Sequence, residues 1–314
     1  MKVLITDGIE KEALAKLQSS HQVDNIEMGP DDLLKNIEKY DALIVRGKTK
    51  VTAQVIEKGK NLKVVGRAGV GVDNVDIAAA SKRKIAVVNA PTGSTVSVAE
   101  LAIGHMISLA RKLPIADKSI KAGKWEKKAF MGTELNGKTL GLLGSGRIGT
   151  EVAKRAQAFG MKTIAHDPYL PPAIAQQNKI ELVNKGSLFA ESDFLSIHTA
   201  LTPETKGMVG PQEFAAMKKT AFLINCARGE VVQEKALAEA LKTGTIAGAA
   251  LDVFENEPPT GSPLLGLENV FMTPHIGAST KEAQFRAGMT IVEQVDTVLR
   301  GNKPEFIVNR EIYS

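Results

Sequence analysis

Short runs of branched apolar residues recur along the chain, separated by stretches whose apolar positions fall three and four apart. Residues 2–6 (KVLIT), 42–46 (ALIVR), 63–66 and 86–89 predict strands, apolar enough to be buried on both faces. Residues 10–17, 31–37 and 53–58 carry helical spacing and predict the helices between them. Strands alternating with helices in this way predict a parallel sheet covered on both sides. No internal repeat or low-complexity segment interrupts the pattern.

The pattern changes near Pro91. Residues 96–109 are apolar on most sides and predict a long helix, capped by Ser94 or Thr95 and buried between domains or subunits. A second α/β series opens at Gly137, with strands expected at 139–143, 163–165, 194–198, 221–225, 248–252 and 270–273. A last helix spans 281–299, with Gly301 just past its end as a stop signal. The tail at 306–309 (FIVN) reads as a strand that returns to the first domain. The expected division is therefore 1–94 and 283–314 for one discontinuous domain and 95–282 for the other.

The most specific local motif is TLGLLGSGRIGTEVAKRAQAFGMKTIAHDP. The strand at 139–143 runs into Gly144, Gly146 and Gly149, a G-x-G-x-x-G pattern, then a helix, a second strand and Asp167. Gly144 makes the tight turn, Gly146 lets backbone approach a pyrophosphate, and Gly149 lets helix and strand pack closely. The helix N-terminus offers free N–H groups to the phosphates. Asp167 can accept both ribose hydroxyls, and no arginine follows it to receive a 2′-phosphate, so NAD is expected over NADP. A glycine-rich turn alone would be weak evidence. Strand, helix, second strand and terminal acid together predict a Rossmann dinucleotide-binding domain.

Three further segments end predicted strands, where open α/β sheets bind ligands: NCARGEVV with Arg228, LDVFENEPP with Glu255 and Glu257, and TPHIGAST with His275. Hydride transfer at a 2-hydroxy acid needs a group that exchanges a proton near neutral pH, which histidine provides. It needs a carboxylate that favours the charged imidazole, and a planar cation for the substrate's carboxylate and carbonyl. His275, a glutamate and Arg228 supply these.

These contexts resemble the D-2-hydroxyacid dehydrogenase family, whose Arg, Glu and His stand in N-x-x-R-G, D-V-F-x-x-E-P and P-H-x-x settings. The resemblance covers nearly the whole chain and includes VVGRAGVGVDNVD and KWEKKAFMGTELNGKTLGLLGSGRIG. It implies that Glu257, not Glu255, is the acid. It implies a Rossmann NAD domain inserted into a discontinuous, flavodoxin-like substrate domain, both doubly wound, with the active site in the cleft and closure on binding. By the same resemblance Ala68, Gly69 and Val70 would hold the substrate carboxylate and Arg46 its far end. Arg147, Ile148, Thr199, Cys226, Ala227, Asp252 and Gly277, with Val70, would contact the cofactor. The implied reaction is oxidation of 3-phospho-D-glycerate at C2 to 3-phosphohydroxypyruvate, the entry to serine synthesis. The rivals are another 2-hydroxy acid, such as glyoxylate or hydroxypyruvate, or an NAD-sensing corepressor-like role. The family implies a homodimer through the NAD domain, using the 96–109 helix and the residues up to Phe130. Relatives often carry C-terminal domains that sense serine. This sequence stops soon after the final helix, so it is either a natural short form or a truncated one.

Composition changes this picture little. A charge of +5 without a clustered basic stripe suits a small anionic ligand rather than nucleic acid. One cysteine excludes an intrachain disulfide and fits a reducing, cytoplasmic setting. No apolar run reaches membrane-spanning length, and no metal site is expected. Other chemistry-bearing residues read as ordinary. His105 reads as a packed core histidine, His166 and His198 as neighbours of the cofactor side, and the basic run 121–128 as a solvated face. Cys226 is not read as a nucleophile, since no nucleophile signature surrounds it.

Overall fold

Five strands, four of them near-continuously apolar, form the first sheet in the computed structural model, which describes residues 1–313. They are β1 (Lys2–Ile5), β2 (Gln22–Asn25), β3 (Ala42–Val45), β4 (Val64–Arg67) and β5 (Ala86–Asn89). All pair parallel in the order β2-β1-β3-β4-β5, the flavodoxin-like winding. Alternate residues feed two cores. Val3, Ile5, Ile44 and Val64 pack with Ile291, Val292 and Val295 of the long helix Lys281–Leu299. Leu4, Leu43, Val45 and Val65 pack on the other face with Leu33, Ile37, Val55 and Ile56. That helix sits so close that a Cβ on Gly66 would meet Val295 at 2.7 Å. Residues 1–95 and 278–314 make this compact unit. Ser314, the last residue of the expected return segment, lies outside the described residues.

The tail corrects one expectation. Residues 306–309 form a single antiparallel bridge, Val88 with Ile307, and no strand. Asn89 N donates to Phe306 O and Val308 N to Val87 O, and the buried Asn309 side chain continues this short pairing. Its Oδ1 accepts from Val87 N, and its Nδ2 donates to Ile85 O. A polar side chain satisfies the edge of β5 that further backbone pairing would otherwise cover.

Residues 96–277 form the second unit. Its strands are β6 (Thr139–Leu143), β7 (Lys162–His166), β8 (Glu181–Leu182), β9 (Phe194–Ile197), β10 (Phe222–Asn225), β11 (Gly248–Leu251) and β12 (Val270–Met272). They too are all parallel, in the order β12-β11-β10-β9-β6-β7-β8. The winding reverses between β6 and β9, the Rossmann switch point. The apolar helix predicted at 96–109 spans Thr95–Arg111. It buries Val98, Ala102, His105 and Met106 in this unit's core but exposes a stripe at Val96, Glu100 and Gly104. Among the described residues no helix is long and apolar enough to cross a membrane.

Candidate active site

Backbone hydrogen bonds bring the segments bearing Arg228, Glu257 and His275 to one edge of the second sheet. Asp252 N donates to Asn225 O and Thr273 N to Leu251 O, which carries the register of β10, β11 and β12 past the strand ends. Each segment is then fixed locally. Asn225 Oδ1 accepts from Ala227 N and its Nδ2 donates to Arg228 O, an Asx turn that sets the loop bearing Arg228. Gly229 follows because the backbone of Phe254 passes there: a Cβ would lie 1.9 Å from Phe254 C.

The turn after β11 separates its two glutamates. Glu255 Oε1 accepts from Glu234 N, at the start of the helix Glu234–Lys242, and Glu234 Oε1 accepts from Glu255 N. Glu255 is thus spent on the fold. Glu257 turns the other way. Its Oε2 lies 2.7 Å from His275 Nδ1, while its Oε1 accepts from Phe254 N at 3.2 Å.

His275 owes its aim to strained backbone. Its φ is 51°, the left-handed region that a residue other than glycine seldom occupies. Asp252, 1% exposed, holds it there. The Asp252 carboxylate accepts from Thr273 Oγ1 at 2.6 Å and from the amides of Ile276 and Gly277 at 2.8 Å each.

The electrostatics suit proton exchange. The hydrogen bond to Glu257 raises the His275 pKa above its usual value against the effect of burial; the charges of Glu257 and Asp252 help, and Arg228 opposes. Burial alone would raise Glu257. The hydrogen bond and charge of His275, the Phe254 amide and Arg228 outweigh it and leave Glu257 below its usual value. Both side chains remain well exposed, at 49% and 38%, so water screens the pair. Nearby, burial pushes His198 down to about 4 and leaves it neutral.

The glycine loop follows β6. Gly144 has φ 85°, and a Cβ on it would press on His198 and Thr199 at 3.0 Å. A Cβ on Gly149 would lie 2.7 Å from Gly144 O. Gly146 caps the helix Arg147–Ala158, and nothing lies within 4 Å of the position its Cβ would take, so its backbone is open to approach. Arg147 is exposed and Ile148 half-buried. Ser145 Oγ and Thr199 Oγ1 are buried without a hydrogen-bond partner. Asp167, at the end of β7, accepts from Ser145 N and Tyr169 N. An open glycine backbone at a twelve-residue helix N-terminus, a ribose-ready carboxylate and unpartnered hydroxyls fit a dinucleotide. Among the described residues no cluster could hold a metal.

A family model described as D-isomer specific 2-hydroxyacid dehydrogenase, NAD binding domain, matches residues 103–277. The chain belongs to the D-isomer specific 2-hydroxyacid dehydrogenase family. Among its relatives in that family, D-3-phosphoglycerate dehydrogenase of Methanocaldococcus jannaschii is 50% identical over 311 residues, covering 98% of this chain and 59% of that protein. The chain thus spans about three-fifths of the length of this relative. A crystal structure of a Thermus thermophilus protein matches with TM-score 0.91 at 37% identity, covering 98% of this chain and all of the other. A glyoxylate reductase from Paecilomyes thermophila matches with TM-score 0.91 at 32% identity, covering 99% of each chain. The matched dehydrogenase domain is the one that binds NAD in this family.

The remaining expected residues fall into two groups. Cys226 is buried, Ala227 and Arg228 are half-buried beside it, and Gly277 is buried on Asp252. Arg46, Ala68, Gly69 and Val70 belong to the first unit, at the carboxyl ends of β3 and β4. Arg46 lines a cavity of about 430 Å³ with Asp7, Asn25, Glu27 and Lys48. Its Nη1 donates to Gln284 at 3.1 Å and lies 4.0 Å from Glu10. Arg67 escaped the sequence reading. Its guanidinium lies across Gly69, where a Cβ would meet Nη1 at 1.6 Å, so the RAGVG loop carries its own cation. The strand-end position of Arg67 was the signal available. Asn225 and Glu234 were also missed, because they act on backbone groups that a motif does not display.

Substitution should separate the two glutamates. Glu257→Gln should lower the His275 pKa toward its usual 6.5, followed by NMR titration of the imidazole. Glu255→Ala should leave that titration in place and cost about 1 kcal/mol of stability through the lost helix cap. A His275 pKa that falls only in Glu255→Ala would reverse the assignment.

Proposed function

We propose that the chain oxidises 3-phospho-D-glycerate at C2 with NAD⁺, giving 3-phosphohydroxypyruvate. The observation that carries the chemistry is the 2.7 Å contact of His275 with Glu257 beside Arg228. The likeness to D-3-phosphoglycerate dehydrogenase over 98% of the chain carries the substrate. Gly144, Gly146, Gly149, Arg147 and Ile148 would hold the diphosphate, and Asp167 the ribose. Val70, Thr199, Cys226, Ala227, Asp252 and Gly277 would line the rest of the cofactor site. The bound nicotinamide supplies hydride acceptance. Arg228 anchors the substrate's carboxylate and hydroxyl oxygens, with the backbone at Ala68, Gly69 and Val70. Neutral His275 Nε2 takes the hydroxyl proton, and Glu257 stabilises the imidazolium that results. Arg46 and Arg67 would meet the phosphate. On this reading residues 1–94 with 283–314 serve the substrate and 95–282 the cofactor. The enzyme would work in the cytoplasm, where Cys226 stays reduced.

We also propose a homodimer through the second unit. Leu113, Ile120, Trp125 and Met131 are exposed there, Trp125 at 83%. Beside them lies a cavity of about 680 Å³ whose lining includes Leu109, Ile115, Phe222 and Phe271. Exposed apolar side chains of this kind support an interface there.

Measurements on the wild type and on variants test these readings. His275→Asn should cut turnover by about 10²–10⁴-fold and leave NAD⁺ binding nearly intact. Because the raised pKa belongs to the group that accepts the proton, wild-type oxidation should rise with pH through a value above 6.5, while reduction of the keto acid falls through the same value. A variant with near-normal turnover would remove His275 from the chemistry. Arg46→Ala should lower kcat/KM for 3-phosphoglycerate about ten- to a hundredfold more than for glycerate, since a charged hydrogen bond is lost only with the former. Equal losses would take Arg46 out of the phosphate site. A wild-type enzyme preferring glyoxylate or glycerate would overturn the substrate, and one that binds NADH but turns over no 2-hydroxy acid would favour a sensing role. Trp125→Asp should shift the sedimentation equilibrium from dimer toward monomer; an unaltered dimer would place the interface elsewhere.

A further inference from the structure

One buried histidine has no task in this chemistry. His105, on the helix Thr95–Arg111, is 1% exposed, yet both ring nitrogens face polar atoms. Nδ1 lies 3.6 Å from Cys226 Sγ, and Nε2 lies 3.1 Å from Thr273 Oγ1. The proton positions follow from the far end. Both oxygens of Asp252 accept backbone N–H groups, so the carboxylate is also the acceptor from Thr273 Oγ1. With its proton committed to Asp252, the Thr273 oxygen accepts from His105 Nε2–H. Nδ1 then carries the lone pair and receives the weak Cys226 S–H donor. The result is a relay with every donor pointing the same way: Cys226, His105, Thr273, Asp252. Such chains polarise one another in a buried setting. Burial favours the neutral forms this requires. It lowers the His105 pKa against the charge of Asp252 and raises that of the Cys226 thiol.

We propose that His105 is a positioning residue for His275, acting through Thr273 and Asp252. Asp252 grips the amides of Ile276 and Gly277, the two residues that follow His275 at φ 51°. A non-glycine residue stays in that conformation only while its surroundings hold it. Thr273 is the third donor on the same carboxylate, and His105 fixes its rotamer. Phe271 steadies the His105 ring edge-on, with centroids 5.2 Å apart and planes at 76°. A ring that only filled volume among Val98, Ala102 and Met106 would not need a polar partner on each nitrogen. If the relay slackens, the 273–277 segment relaxes and His275 drifts from Glu257. The charged groups acting on His275 are Glu257, Asp252 and Arg228; on His105 it is Asp252.

The inference rests on reading His275 as the proton-transferring group, so the test pairs turnover with a readout that does not need it. His105→Leu should lower kcat about three- to tenfold, the share of one neutral hydrogen bond, with little change in the KM for NAD⁺. The His275 imidazole, titrated by NMR, should fall toward 6.5, and the acid limb of kcat/KM should move down with it. His105→Gln, whose Nε2–H can stand where the imidazole's stood, should restore both. Thr273→Val should reproduce the defect, and the double variant His105→Leu/Thr273→Val should be no slower than the slower single. Multiplying losses, or a His275 titration that stays in place in both His105→Leu and Thr273→Val, would overturn the relay. A wild-type protein inactive toward every 2-hydroxy acid, in which the titration still shifts, would sink the dehydrogenase reading and leave the positioning role standing.

Discussion

The buried carboxylate of Asp252 is the interaction on which the site depends. It lies just past β11, and the residues proposed for catalysis are arranged around it. Its own amide is tied to Asn225, which organises the loop of Arg228. Its oxygens gather Thr273, Ile276 and Gly277, which bracket His275. The same chain segment leads on within five residues to Glu257. An unpaired carboxylate at 1% exposure would be costly, and three donors are what make it tolerable. The requirement runs both ways: the donors cannot leave without stranding the charge, so His275 is kept in a backbone conformation it would not choose alone.

The first unit repeats this construction. Asp7, just past β1, accepts from the amides of Arg46 and Thr49 and from the Thr49 hydroxyl. Burial alone would raise its pKa, but those hydrogen bonds, with one from Lys48 N–H, hold it below the usual carboxylate range. In both units, then, a carboxylate at the end of one strand shapes the loop after the neighbouring strand, β3 or β12, by collecting its amides. In both, the loop so shaped presents a cation or an imidazole at the carboxyl edge of a parallel sheet. Winding order places that edge; the aspartate sets what stands on it.

Much of this was legible in the sequence, and the reasons are physical. The central strands announce themselves because burial on both faces demands unbroken apolar runs such as ALIV at Ala42–Val45. Two of the four edge strands, β2 and β8, do not. QVDN at Gln22–Asn25 and EL at Glu181–Leu182 are half-solvated and read as polar chain. FIVN misled for the opposite reason: it has strand composition, but Asn309 satisfies the neighbouring edge with its side chain. In the site, the residues placed by motif were those whose chemistry needs a particular functional group. The residues missed, Asn225, Glu234 and Arg67, act by holding backbone or by lying over a glycine, and only coordinates reveal such geometry. The two glutamates show the boundary well. The family pattern points to Glu257; in the structure Glu257 meets His275, while the carboxylate of Glu255 is occupied at a helix N-terminus.

Substrate choice follows a different logic from chemistry. Arg228, Glu257, His275 and their supports all lie within residues 96–277, and the groups they would offer match the carboxylate and hydroxyl that every 2-hydroxy acid shares. The general fold is equally indifferent: a glyoxylate reductase superposes as well as any relative described above, with TM-score 0.91. On the proposed reading, the phosphate on C3, at the far end from the C1 carboxylate, needs its own cation, and that cation has to be held without being neutralised. Arg46 is placed for such a role. Its backbone is pinned by Asp7, while its guanidinium reaches the neutral Gln284 amide and only grazes Glu10 at 4.0 Å. Arg67 is held against a glycine that leaves it room. Discrimination by charge is strong where a site must pair a buried ion and weak where it only fills volume. On the proposed reading, Arg46 and Arg67 of the first unit would therefore set the substrate choice that Arg228, Glu257 and His275 leave open.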